Sequence, residues 1–324
     1  MSRILVTGGC GFIGHNIVEQ LQLQGHQVRI IDNLTRYGMI PEDEHIYLMN
    51  ERKKRFNSST IIHDIAIEGM YINSVFETFL PEIVIHLASM PRQRLVNRNP
   101  VMSARVMCEG LLNLLEQSVK HKVNKFVYVS SSMVYGDFTD GVLETAQCNP
   151  QGSYAIMKYA GEQLVREYTR SKQLAHVIIR PSAVYGPLDI EDRVVSKFMI
   201  GALRGDTLKV NGPMEKLDFT YVDDTVEGIV GATFSNRAVN KTYNITRGQS
   251  ISLLDAAELV IKIVGYGELE LNDRDLEFPT RGTLNIDAAR QDFDYNPTIN
   301  IDSGLLKYHD WIHTSEFWRQ KLKL

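Results

Sequence analysis

Glycines at positions 8, 11 and 14, in the run Thr7-Gly-Gly-Cys-Gly-Phe-Ile-Gly14, constrain this chain more than any other feature. They follow an apolar run, Ile4–Thr7, and open a stretch of helical period, Gly14–Gln24. In that setting each glycine has its own task. The first lets the chain turn sharply out of a strand, the second lets backbone approach a pyrophosphate, and the third lets the helix pack close on the strand. The helix N-terminus then turns its unpaired amides toward the phosphates. Gly8, Gly11 and Gly14, with Phe12 and Ile13 between them, are therefore assigned to a dinucleotide cofactor.

Further β-branched runs at Gln27–Ile31, Thr60–His63, Ile83–Leu87, Phe126–Ser130 and His176–Arg180 alternate with helical patterns at Ser103–Lys120 and Tyr154–Thr169. This alternation predicts an α/β fold, a Rossmann-type doubly wound parallel sheet covered on both faces. Beyond Gly186 the spacing loosens, and segments such as Asp189–Gly205 and Leu253–Val264 predict a smaller, mixed α/β C-terminal lobe.

The strand ends carry the next signals. Asp32 closes the second strand 18 residues after Gly14, with Asn33 behind it. A carboxylate there accepts hydrogen bonds from the adenosine ribose hydroxyls and repels a 2′-phosphate, which favours NAD over NADP. Asp64 and Ile65, after the strand TIIH, are placed at the adenine amino group and the adenine face. Leu87, Ala88 and Ser89, after IVIH, are placed where backbone runs along the cofactor.

Tyr154 and Lys158 stand four apart on a helical pattern and so share a face. A free phenol titrates near 10, so a tyrosine base working near neutrality needs a shift of about three units, roughly 4 kcal/mol. A lysine ammonium and the positive nicotinamide ring have the right sign to supply it. Ser131, in the strand end VSSSMVYG, is placed to hold the reacting hydroxyl.

Composition excludes several classes. The formal net charge is −4, which gives no global attraction to nucleic acid or membrane. The charged run Glu51–Arg55 (ERKKR) reads as a solvated loop or helix face. Three scattered cysteines with no CxxC pair make neither a disulfide framework nor a metal site. No apolar run reaches the length of a membrane span, so the expectation is a cytoplasmic protein.

Taken together, TGGCGFIG, Asp32, Asp64-Ile65, HLAS (His86–Ser89), SSSMVYG, YAIMK (Tyr154–Lys158), RPSAVYGP (Arg180–Pro187) and LDFTYVDD (Leu217–Asp224) span nearly the full length. The chain resembles the extended short-chain dehydrogenase/reductase family, specifically its NAD-dependent nucleotide-sugar epimerases, dehydratases and decarboxylases. The resemblance implies an NAD-binding Rossmann domain over residues 1–180 and a nucleotide-sugar lobe over 181–324, with part of 218–246 returning to the first domain. It implies a catalytic triad of Ser131, Tyr154 and Lys158. It also implies a homodimer formed through the helices near 103–120 and 154–169.

Within that family the 4,6-dehydratases carry an Asp-Glu pair after the serine, and the decarboxylases keep a glutamate before VYG. This chain has Ser132 and Met133, and a thioether transfers no proton. The 3,5-epimerases resembling GDP-mannose epimerase place a cysteine there; Cys148, in the loop before Tyr154, reads as a loop thiol or as an acid/base. The chemistry left is 4-epimerisation, possible on a uronic acid sugar, or net oxidation and reduction by a dehydrogenase or 4-ketoreductase. A cofactor-sensing binding protein is the alternative outside catalysis, and the Tyr154/Lys158 pair argues against it.

Two positions depart from the family pattern. Ala183 stands where an asparagine is common, and Leu217 where an arginine is common, and both usually hold the substrate diphosphate. Lys216, Arg193 and Arg281 are the candidate replacements, Arg281 resembling an arginine the family uses near the nucleotide. The loop PRQRLVNR adds Arg92, Arg94 and Arg98 just past a strand end. It reads either as a solvated basic loop or, since arginine's fork suits carboxylates, as a clamp for a uronic acid.

Overall fold

Strands of this chain are short and almost wholly apolar because both faces of the sheet are covered. In a computed structural model describing Met1–Leu324, the first six are β1 (Arg3–Thr7), β2 (Gln27–Asp32), β3 (Ile61–Asp64), β4 (Ile83–His86), β5 (Lys125–Val129) and β6 (His176–Pro181). On β1, Ile4 and Val6 face one apolar layer while Leu5 faces the other. Neighbouring side chains thus enter opposite cores, which is why periodicity reads as a continuous run. A seventh strand, Lys241–Ile245, joins from the C-terminal half, and the spatial order is Lys241–Ile245, β6, β5, β4, β1, β2, β3. Every pairing is parallel.

That order fixes where a ligand enters. From β1 the chain winds outward through β2 and β3, then crosses back to β4 and winds the other way. Between β1 and β4 the connections part, and the crevice lies at their carboxyl ends. Thr7 and His86 close it from below, the Thr7 hydroxyl 2.7 Å from His86 Nδ1. The Ala88 amide donates to the same hydroxyl at 3.3 Å.

Helix α1 (Phe12–Leu23) rises directly from the glycine loop. Gly8 has φ +70°, and a Cβ on it would lie 2.7 Å from the Ala88 nitrogen. A Cβ on Gly14 would lie 2.1 Å from the Gly8 carbonyl oxygen, so only glycine lets α1 start this close to β1.

Helix α2 (Glu42–Lys54) contains most of the charged run, and one member departs from the solvated reading. Arg52 is 4% exposed. The expected continuous helix near Ser103–Lys120 instead has a π-helical turn, Arg105–Glu109, between Pro100–Ala104 and Gly110–Lys120. A Cβ on Gly110 would lie 2.6 Å from Ile67, so the helix passes Ile67 closely just after that turn.

The C-terminal half adds three two-stranded sheets and the helices Val194–Arg204, Leu253–Val264 and Ile301–Thr314. Ser252 and Asp255 form a capping box at the second of these, satisfying two otherwise unpaired amides. Both aspartates of LDFTYVDD that turn inward are structural. Asp218 accepts from the Leu284 and Gly248 amides, each at 3.2 Å, and Asp224 from the Thr298 and Ile299 amides at 2.9 and 3.0 Å. No helix is long and apolar enough to cross a membrane.

Candidate active site

A cleft of about 320 Å³ opens at the β1/β4 crossover. Its walls include Gly8, Gly11, Phe12, Ile13 and Gly14 from the loop, Asp32 and Asn33 from β2, Ile65, and Leu87–Ser89 after β4. Ser131, Tyr154, Lys158 and Arg193 complete the opposite end. Distant segments thus meet around one space. Asp64 does not join them; its side chain is exposed, outside the cleft wall.

Asp32 is held by backbone. Its carboxylate accepts from the Cys10 amide and from the Leu34 amide, both at 2.9 Å, so the loop and the strand end are mutually fixed. Burial pushes its pKa up while those amides and Arg52 pull it down. The cradle suits a dinucleotide: a Cβ at Gly8 or Gly14 would collide with backbone, and Gly11 caps α1 without any side-chain bond.

Elsewhere on the cleft wall, helix Gly152–Lys172 carries Tyr154 and Lys158. Lys158 is buried and its Nζ donates to the Val129 carbonyl at 2.8 Å. Burial holds its ammonium down to about 8, with Glu162 opposing the shift. Burial also pushes the Tyr154 phenol up, and Arg193 and the Ser131 hydroxyl pull it back. Arg193 therefore adds a positive charge near the phenol, a role the sequence did not mark, beside the Lys158 ammonium on the phenol's own helix face. Ser131 caps the 3₁₀ turn Ser132–Tyr135 by accepting from the Met133 amide at 3.2 Å. Ser132 and Met133 are buried outside the cleft wall.

Beneath the triad lies a buried ionic network. Arg180 grips Glu162 with Nε and Nη2 at 2.9 and 2.6 Å, and Ser130 donates to the same carboxylate at 2.7 Å. The neighbouring Ser131 is thereby set on a rigid base.

The candidate substrate residues divide. Arg193 lines the cleft, whereas Arg92, Lys216 and Arg281 lie outside its wall. Arg92 pairs with Asp192 at 2.6 Å, and Arg94 pairs with Asp275 and Glu277. Two of the three loop arginines are thus paired with acids from the C-terminal half, while Arg98 is exposed and makes no ion pair. Lys216 faces Asp140 at 3.5 Å on the surface. Arg281 makes no hydrogen bond within the chain, and burial pushes its guanidinium down to about 10. Cys148 is half-buried, raised by burial, and stands away from the cleft with Val134 and Tyr135.

Ala183 does line the cleft, at φ +38°. Asparagine tolerates this left-handed region better than alanine. The turn is kept here although the amide side chain is lost.

Residues 4–246 match the model of the NAD dependent epimerase/dehydratase family. The chain belongs to this family. Its relatives within the family include the uncharacterised UDP-glucose epimerase YtcB of Bacillus subtilis, 28% identical with 94% of this chain and 95% of that protein covered. UDP-glucuronate 4-epimerase 1 of Arabidopsis thaliana is 27% identical, with 99% and 79% covered. Among solved structures, UDP-glucuronic acid 4-epimerase from Bacillus cereus, in complex with UDP-glucuronic acid and NAD, superposes with a TM-score of 0.89 at 26% identity, covering 96% of this chain and 99% of that one. UDP-glucose 4-epimerase from Thermotoga maritima, with UDP-glucose, gives 0.87 at 27% identity, with 96% and 98% covered. Membership in this family makes the chain NAD-dependent and places it among nucleotide-sugar epimerases and dehydratases.

Sequence reasoning missed Arg52 and Asp189, which also line the cleft. Arg52 sits in a run of charges that looks uniformly solvated. Asp189 follows VYGP with nothing in its spacing to mark it, yet it is 1% exposed among Arg52, Arg92 and Arg193.

Proposed function

We propose that this chain is an NAD-dependent nucleoside-diphosphate-sugar 4-epimerase. The observation that carries the reading is one cleft holding Ser131, Tyr154 and Lys158 beside the glycine cradle, while the sequence position at which dehydratases and decarboxylases carry an acid is Met133, which has no proton to transfer. Bound there, NAD supplies a reversible hydride acceptor. The chain's residues do the rest: Ser131 holds the sugar 4-hydroxyl, Tyr154 takes its proton, and Lys158 and Arg193 supply positive charge around the phenol. After the sugar turns over, Tyr154 returns the proton to the inverted alcohol.

The substrate diphosphate falls to Arg193 and Arg281 in this reading, since Leu217 and Ala183 offer no donor and Lys216 is occupied by Asp140. A homodimer through helices Pro100–Lys120 and Gly152–Lys172 is part of the proposal. Val101, Met102 and Ile156 stand 71%, 49% and 53% exposed there, an apolar surface that a partner copy would cover.

The test is a panel of nucleotide sugars followed by NMR in deuterated water with no cofactor added. Epimers without carbon-bound deuterium, and without accumulating reduced cofactor, are expected. Stoichiometric reduced cofactor with a keto-sugar would make it a dehydrogenase. Deuterium beside the carbonyl carbon would point to enolisation or dehydration.

A further inference from the structure

Arg52 is the one residue of the ERKKR run whose side chain turns fully inward, leaving Lys54 and Arg55 exposed. Arginine is almost never this buried unless an acid accompanies it. Here none does: no carboxylate lies within ion-pair distance. Nη1 donates to the Cys10 carbonyl at 3.1 Å and Nη2 to the Leu188 carbonyl at 2.7 Å, while Nε has no partner. Carbonyl dipoles satisfy two of its nitrogens, but no carboxylate pairs with it directly. Burial accordingly depresses its guanidinium to about 10, with Asp189 and Asp32 opposing from a distance.

The place of this cation matters. Cys10 belongs to the glycine loop, so the guanidinium is bonded to the backbone that cradles phosphate. Arg52 lines the same cleft as Gly8, Gly11 and Gly14. Helix α1 starts there with no side-chain cap and no acid in its first turn. The loop amides carry only partial charge, while a pyrophosphate carries full negative charge and is held best by charge-assisted donors.

We propose that Arg52 is an anion-binding residue of the cofactor site, its positive charge, held against the glycine loop without a direct ion-pair partner, completing that loop for a dinucleotide pyrophosphate. The inference rests on the family's NAD dependence and is separate from the epimerase reading. The competing role is a purely structural tie between the Cys10 and Leu188 loops.

Calorimetric titration of cofactor-stripped protein separates the two. Arg52→Met is titrated with NAD, ADP-ribose and adenosine, and its melting is followed without ligand. A rise of at least about tenfold in Kd for NAD and ADP-ribose, with adenosine binding unchanged, is expected for loss of a pyrophosphate contact. The salt dependence of ADP-ribose affinity should flatten as well. Equal weakening of adenosine and ADP-ribose, or unchanged Kd with lowered melting, would overturn the proposal in favour of the tie. Should Arg52→Met fail to fold, Arg52→Gln keeps a donor for one carbonyl without the charge, and the same ratio decides. Failure of wild-type protein to bind NAD would instead defeat the cofactor assignment itself.

Discussion

Lys158 Nζ donates to the Val129 carbonyl at 2.8 Å, which ties helix Gly152–Lys172 to the strand that leads into Ser131. The ammonium is held to about 8 by burial, against an ordinary 10.5. Between those values the unfolded chain binds more protons, so stability rises with pH across that window. The burial penalty is fully present below about pH 8. A shift of about 2.5 units corresponds to roughly 3 kcal/mol. The unfolding free energy of cofactor-free wild type, relative to Lys158→Met, should gain about that much from pH 8 to 10.5. A pH-independent difference would show that the lysine is not desolvated.

Tyr154→Phe should lower kcat by about 10²–10⁴, the usual size of general base catalysis, with NAD affinity unchanged. The ring fills the same space without a proton to exchange. Retention of most activity would place the base elsewhere.

Arg193 draws the Tyr154 phenol down against burial. Without that charge the phenolate forms at higher pH, so Arg193→Met should move the acid limb of the kcat profile upward, and Arg193→Lys should restore part of the shift. An unmoved limb, with only KM changed, would confine Arg193 to substrate binding.

Glu162 and Arg180 form a bidentate pair with side chains at most 2% exposed. Removing Arg180 leaves the buried Glu162 carboxylate to Ser130 and the half-buried Arg166, 3.0 Å away, so the loss should approach but not exceed the cost of a stranded buried charge, about 3–5 kcal/mol. Urea unfolding of Arg180→Met should show a loss of that size, and adding Glu162→Leu should recover much of it. Additive losses would mean that the pair itself is not what stabilises this region.

Asp32→Asn should weaken NAD binding and narrow discrimination against NADP, because the carboxylate that repels a 2′-phosphate is gone. Side-by-side titrations of the two dinucleotides measure the ratio. A ratio equal to wild type would remove Asp32 from cofactor selection.

The strand–loop–helix logic was legible because it is local. Gly8 and Gly14 must be glycine on steric grounds, and Asp32, Tyr154 and Lys158 occupy positions set by period and strand end. The arginines were not legible in the same way. Whether Arg92, Arg94 or Lys216 is free depends on Asp192, Asp275 and Asp140, acids far along the chain whose approach only the tertiary fold decides. Arg52 was hidden for the opposite reason: its neighbours are solvated, and one side chain among them rotates inward. Lys241–Ile245 lies beyond Gly186, where the strand–helix alternation loosens, so only the family resemblance, with its return of part of 218–246 to the first domain, pointed toward it.

That last strand bonds along β6 from Val177 to Pro181, and Asn240 braces its start by accepting from the His176 amide at 3.0 Å. The C-terminal half therefore lends a strand to the central sheet of the N-terminal half. Exchanging C-terminal halves between relatives at residue 180 would transplant an edge of the recipient's central sheet along with them. A graft that respects the interleaving must leave residues 241–245 with the host, which calls for two crossover points where the linear order suggests one.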